Sequence, residues 1–231
     1  MLINFVRSSE NEDFRSNYVI DLIKKHPKEF GNGKVLFDIG AGLSPYKQAC
    51  VENGWKYYSH DFGKYIPNLE NHPGLQSDTW NYPQHDFICD ILDIPLNKFS
   101  DLIICTEVFE HIPNPIAALS KLSNISKDNG LVLVTVPFAS LMHQAPYWFQ
   151  SGLSPYWFEH WAKVAGIEIL EMVVYGDYID VLSQEIKRVI PFIPHKILSV
   201  FMAILRKYVK EDVLQSLGFG VIFLGKVSNK F

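Results

Sequence analysis

The chain has 231 residues, 48% of them hydrophobic and 20% charged, which suits one α/β domain with a substantial buried core and excludes a disordered chain. The net charge of −4 argues against a general nucleic-acid binder. Three cysteines, Cys50, Cys89 and Cys105, form no CxxC pair and fit a reduced compartment. "MLINFVRSSENEDF" holds too short an apolar run for a signal peptide, and no stretch reaches the ~18 apolar residues of a membrane span. A cytoplasmic protein is expected.

In chain order, Phe14, Tyr18, Val19, Leu22 and Ile23 recur at helical spacing, predicting a helix within 11–29. "KVLFDIG" (34–40) reads as a strand buried on both faces. Ser44 and Pro45 look like an N-cap and first helical residue, and Gly54 like the residue just past that helix. Further strands are expected at 56–62, 85–91, 101–107, 130–138, 167–176 and 218–227, with helices at 112–126 and 154–166. The alternation predicts a three-layer, Rossmann-like α/β fold, with a seven-stranded, mostly parallel sheet and right-handed crossovers. A single domain covers 1–231.

The turn Gly40-Ala41-Gly42 lets backbone pass close beneath a ligand. A pyrophosphate cradle wants free helix N–H groups, and Ser44-Pro45 would remove two. Asp38 would repel a pyrophosphate and suit an ammonium. Asp61 ends the second strand, where a carboxylate accepts ribose hydroxyls. Asp90 ends the third strand beside Ile91, placed to meet an adenine edge. An amino acid joined to adenosine without phosphate, as in S-adenosylmethionine, matches this pattern.

At these residues the chain resembles the class I S-adenosylmethionine-dependent methyltransferases, in their broad small-molecule branch. The resemblance is carried by "VLFDIGAG" (35–42), "YYSHDF" (57–62), "CDILDIP" (89–95), "FSDLIICTEVFEHIPNP" (99–115), "KDNGLVLVTVPF" (127–138) and "HWAKVAGIEILE" (160–171). It implies an antiparallel last strand and S-adenosyl-L-methionine as cofactor. It implies Asp38, Gly40, Ala41 and Gly42 at the methionine end, Asp61 at the ribose, and Phe62, Asp90 and Ile91 around the adenine. Thr106 and Glu107 would line the transfer cleft. The departures are Ser44 for a third glycine and Asn129 for the first glycine of a pair.

"EVFEH" (107–111) carries two readings of His111, as general base or as an anchor for the following helix. Glu107, Glu110 and His111 also match an E-x-x-E-H pattern that binds a divalent metal in some relatives, with His143 as a candidate fourth ligand. The expected acceptor is a small molecule, sugar-like or lipid-linked glycan included, taking the methyl group on oxygen or nitrogen. A nicotinamide oxidoreductase and a non-catalytic scaffold are the alternatives.

Between the last two strands lies a long insertion, 177–217. Its 186–210 stretch holds six basic residues and no acid, in a chain of net −4, leaving −10 for the rest. "HKILSVFMAILRKYVK" (195–210) predicts a helix with one narrow basic face. It suits a lid over the acceptor pocket, a helix lying on an anionic membrane, or a dimer face.

Overall fold

A computed structural model describes residues 3–7, 11–25, 33–67, 75 and 81–228. The chain runs β1 (Asn4–Val6), α1 (Asn11–Lys25), β2 (Val35–Ile39), α2 (Lys47–Glu52), β3 (Lys56–Asp61) and β4 (Phe87–Ile88). A 3₁₀ turn (Ile91–Asp93) leads to β5 (Ser100–Thr106), and another (Phe109–His111) leads to α3 (Pro115–Ile125) and β6 (Ser126–Pro137). Then come α4 (Pro155–Val164), β7 (Ile167–Tyr175), α5 (Tyr178–Val189), α6 (His195–Arg206), α7 (Glu211–Leu214) and β8 (Gly220–Val227).

The strands form one sheet in the order β1-β7-β8-β6-β5-β2-β3-β4. Among the described strands, only β8 runs antiparallel, against both β6 and β7. The sheet has eight described strands, not the expected seven. The addition is β1, three residues paired parallel to β7. The expected third strand shrinks to Phe87–Ile88. The expected extension of the first helix into 26–29 lies outside the described residues.

Alternating side chains feed two cores. Phe37, Ile39, Ile103, Cys105, Val132 and Val134 pack on one face of the sheet, beneath Leu119 and Leu122 of α3 and Phe158 of α4. Leu36, Leu102, Ile104, Leu131 and Leu133 pack on the other, beneath Val19, Leu22 and Ile23 of α1 and Cys50 of α2. A central strand is therefore apolar at nearly every position, which is why β2 and β5 lack a polar face.

The helix ends follow the sequence in most places. Ser154 caps α4 by accepting from Trp157 N, with Pro155 in its first turn. Asn114 caps α3 by accepting from Ala117 N. Gly54 and Gly166 stand just past α2 and α4 at φ +81° and +71°. Asn129 takes the place of a glycine at φ +62°, a conformation asparagine tolerates better than most residues.

The start of α2 departs from expectation. Its N-cap is Tyr46, without a side-chain cap. Ser44 lies at φ +56°, whereas a capping residue needs extended backbone. Its N–H donates instead to Ala41 O at 2.7 Å, closing a tight turn that delays the helix to Lys47.

Candidate functional site

In the sheet order, β2 has β3 on one side and β5 on the other. The chain progresses outward from β2 to β4 and then returns to β5. Ligands in open α/β sheets sit at such a reversal, beyond the C-terminal strand ends. A cavity of about 500 Å³ opens there, within the range of cofactor pockets.

The floor is the turn after β2. Gly40, Ala41 and Gly42 all line the cavity. The N–H groups of Gly40 and Ala41 both donate to His60 O at 2.9 Å, tying the turn to β3. Gly40 sits at φ +71°, and a Cβ there would meet Val108 at 2.3 Å. A side chain at position 40 would therefore both strain the backbone and displace the loop after β5.

Asp61 closes β3 and is 8% exposed, facing the cavity. Its Oδ2 accepts from Gly42 N and its Oδ1 from Gly63 N, both at 2.9 Å. Each oxygen keeps acceptor capacity for a ligand hydroxyl. The acid at this strand end thus couples the glycine turn to the cavity wall.

Asp38 is placed differently. It is 1% exposed and is not among the cavity-lining residues. It shares the face of Leu36, where Tyr57 Oη–H donates to its Oδ2 at 2.8 Å. Burial pushes its carboxyl up to about 7; Tyr57 opposes the rise and the nearby Asp61 charge adds to it. Any influence on a ligand is exerted from beneath the turn.

Phe62, Asp90, Ile91 and Thr106 all line the cavity. Asp90 caps the 3₁₀ turn, with Oδ1 accepting from Leu92 N at 2.9 Å. Phe62 meets Tyr147 edge to face at 5.2 Å, and Lys64 Nζ lies 4.9 Å from the Phe62 ring centre. These rings give one end of the cavity flat apolar walls.

Glu107 lies just past β5 at φ +55°, an uncommon conformation for glutamate. Three contacts hold it there. Its N–H donates to Thr135 O at 2.9 Å, its Oε1 accepts from Thr135 Oγ1–H at 2.9 Å, and its Oε2 pairs with Arg15 at 3.1 Å. Backbone strain fixed in this way is concentrated at functional sites. Glu107 and Arg15 both line the cavity.

His111 is set in the wall beside Tyr147, its Nδ1–H donating to Tyr147 O at 2.5 Å. That bond fixes the tautomer and leaves Nε2 with its lone pair free to accept. Burial pulls its pKa down to about 4, against the Tyr147 hydrogen bond, and nearby His143 lowers it further. Ligand atoms of Glu110, His111 and His143 lie within 4.8 Å of one another. Glu107 is not in that cluster, since Arg15 and Thr135 occupy its carboxylate.

Arg15 joins the site without having been expected from the sequence. Arg15 lies inside a helix whose letters read as scaffolding; a cation among the apolar positions Phe14, Tyr18 and Val19 is the available signal. Tyr147 belongs to the aromatic run 146–161, which in sequence reads more as packing than as a box over the sulfonium or an acceptor; it lines the cavity.

A family model described as "Methyltransferase domain" matches residues 12–173. The ubiquinone biosynthesis O-methyltransferase of Coxiella burnetii is 26% identical over 157 residues, covering 61% of this chain and 66% of that protein. Among solved structures, an S-adenosylmethionine-dependent methyltransferase from Archaeoglobus fulgidus aligns over 93% of this chain and 96% of its own, with TM-score 0.57 and 13% identity. Phosphoethanolamine N-methyltransferase 2 of Haemonchus contortus, in complex with S-adenosyl-L-methionine, aligns over 94% of this chain and 53% of its own, with TM-score 0.51 and 15% identity. At such identities the structures establish the shared fold. The family match sets aside the nicotinamide oxidoreductase, and the chain belongs to the class I S-adenosylmethionine-dependent methyltransferases.

Proposed function

We propose that this chain transfers a methyl group from S-adenosylmethionine to an oxygen of a small-molecule acceptor. The observation that carries this reading is Asp61, a carboxylate pinned by two N–H groups at the wall of a roughly 500 Å³ cavity. When bound, the cofactor supplies an electrophilic methyl on a cationic sulfur. Asp61 accepts the ribose hydroxyls, Phe62, Asp90 and Ile91 bracket the adenine, and the turn 40–42 runs beneath the methionine part. Among the described residues, Arg15 is the one arginine or lysine lining the cavity, and it suits the methionine carboxylate. The acceptor's lone pair takes the methyl carbon as the carbon–sulfur bond breaks, its electron pair staying on sulfur. Thr106, Glu107 and His111 position the acceptor, and placement of the two reactants supplies most of the acceleration.

Oxygen is preferred over nitrogen because of the O-methyltransferase relative; sugars and lipid-linked glycans remain within the acceptor class. Radiolabelled S-adenosylmethionine offered with phenols, sugars, lipid-linked sugars and amines tests this. Label in a hydroxyl compound supports the reading; label in amines alone overturns it.

A divalent cation at Glu110, His111 and His143 is a second reading. Glu110 is 1% exposed, and its Oε2 has no hydrogen-bond partner among the described residues. Burial, with the Glu107 charge beside it, pushes its carboxyl well above the usual range. A buried carboxylate with one oxygen unpartnered is costly, and a cation would remove that cost. Both imidazoles turn Nδ1 toward a backbone carbonyl, His111 toward Tyr147 and His143 toward Leu141, leaving Nε2 for a metal. Such an ion would polarise an acceptor hydroxyl. Calorimetric titration with Mg²⁺ and Zn²⁺ tests it directly: saturable binding abolished by His143→Ala supports the site, and no heat with either ion removes it.

A further inference from the structure

The insertion between β7 and β8 leaves the same edge of the sheet on which the cavity opens, because β7 runs parallel to β6, β5 and β2. Its three helices form a small core of their own: Leu198 and Met202 of α6 pack with Ile179 of α5 and Leu214 of α7. Arg206 ties α6 down, its Nε and Nη2 donating to Asp177 at 2.8 and 3.0 Å and its Nη2 also to Asp180 at 2.5 Å.

That packing uses only part of the apolar surface of α6. At about 100° per residue, Leu198, Met202 and Leu205, with Val209 just past the helix end, form the inward stripe. Ile197, Val200, Phe201 and Ile204 form a second stripe beside it, continued past the helix end by Tyr208, and these five are exposed, Ile197 by 64% and Tyr208 by 83%. Val189 and Phe192, just before the helix, are 72% and 84% exposed. A third stripe carries Lys196 and, past the last helical residue, Lys207 and Lys210. Among the described residues, Lys187, Lys196, Lys207 and Lys210 are exposed and make no ion pair. No helix among the described residues is long and apolar enough to cross a membrane.

We propose that α6 and the segment leading into it seat the protein on an anionic lipid surface, apolar stripe inward and lysines among the headgroups. The charge selects this occupant. Two copies facing through this patch would bring eight unpaired lysines together. An anionic bilayer instead offers counter-charge to the lysines and hydrocarbon to Ile197, Phe201 and Phe192. Lysine stems reach past an apolar stripe to place their ammonium groups at such an interface. The inference is independent of the acceptor reading, since none of these residues lines the cavity.

Flotation of the full chain with vesicles of phosphatidylcholine alone, or of phosphatidylcholine and phosphatidylglycerol in equal parts, tests it. The expected result is flotation with the phosphatidylglycerol vesicles at low salt, weakened at least tenfold in high salt. Ile197→Asp with Phe201→Asp, and separately Lys196→Glu with Lys207→Glu, should each abolish it while the melting temperature and S-adenosylmethionine affinity hold. No flotation with either vesicle overturns the proposal. So does a wild-type dimer that Ile197→Asp with Phe201→Asp converts to monomer without any change in vesicle binding.

Discussion

Replacing Asp38 by asparagine should make the protein more stable and bind its cofactor less well. Asp38 is buried near Asp61 with Tyr57 as its hydrogen-bond partner among the described residues, and burial raises its carboxyl from 3.8 to about 7. The folded state therefore holds this proton more tightly than the unfolded chain does. Stability from this residue is fully present below the unfolded value and is lost as pH rises through the folded one. At about 1.4 kcal/mol per pH unit, the rise from 3.8 to about 7 amounts to roughly 4 kcal/mol. For a chain of this size that is on the order of 10 °C in melting temperature. The asparagine amide cannot ionise, and its side-chain oxygen can still accept from Tyr57. Melting curves of wild type and Asp38→Asn, taken across acid to mildly alkaline pH, should converge near pH 4 and separate progressively, with the variant higher above pH 7. Affinity for S-adenosylmethionine above pH 7 should fall at least tenfold, since the negative charge beneath the turn is gone. Parallel melting curves would refute the burial argument, and unchanged affinity would remove Asp38 from the site.

Asp61→Asn keeps one acceptor oxygen for the two N–H groups that now hold a carboxylate, and it weakens hydrogen bonds to a ribose. Loss of charge-assisted bonds worth about 1.5–3 kcal/mol each predicts a fall in S-adenosylmethionine affinity of at least tenfold, read by calorimetry. Arg15→Ala should weaken the cofactor about tenfold and also release Glu107; Arg15→Lys should restore only part, because an ammonium lacks the planar fork. For His111 the sign is opposite to that of Asp38. Its folded pKa is lowered from 6.5 to about 4, so the unfolded chain binds the proton first and stability falls as pH drops through that window, by about 3 kcal/mol in all. His111→Gln should flatten this acid limb in a pH series of melts. At neutral pH, above that window, a large loss of kcat at unchanged melting temperature in the same variant identifies His111 with the chemistry, and a loss of stability alone identifies it with the wall.

The parts of the fold readable in sequence are those with long, repeated signals. "VLFDIGAG" and "GLVLVTVPF" are apolar at nearly every position because both faces of β2 and β6 are covered. Ser154-Pro155 and Gly166 bracket α4 by well-defined cap chemistry. What the letters hide is short or three-dimensional. β1 has three residues, too few for periodicity, and its place depends on pairing with β7, about 170 residues later. Ser44 resembles an N-cap in sequence, but the Ala41 turn overrides it. A strand buried on both faces hides which way Asp38 points, so its position beneath the turn is not legible from the letters. Arg15 reaches the cavity only because α1 packs over β2 and β5. The apolar excess of α6 is visible in sequence, but which apolar residues stay uncovered depends on the packing of Leu198 and Met202.

The central claim is tested most directly by calorimetric titration of the purified chain with S-adenosylmethionine, S-adenosylhomocysteine and NAD. Micromolar binding of both adenosyl compounds, with no heat from NAD, is the predicted result. Silence from both adenosyl compounds, or binding of NAD alone, would contradict it.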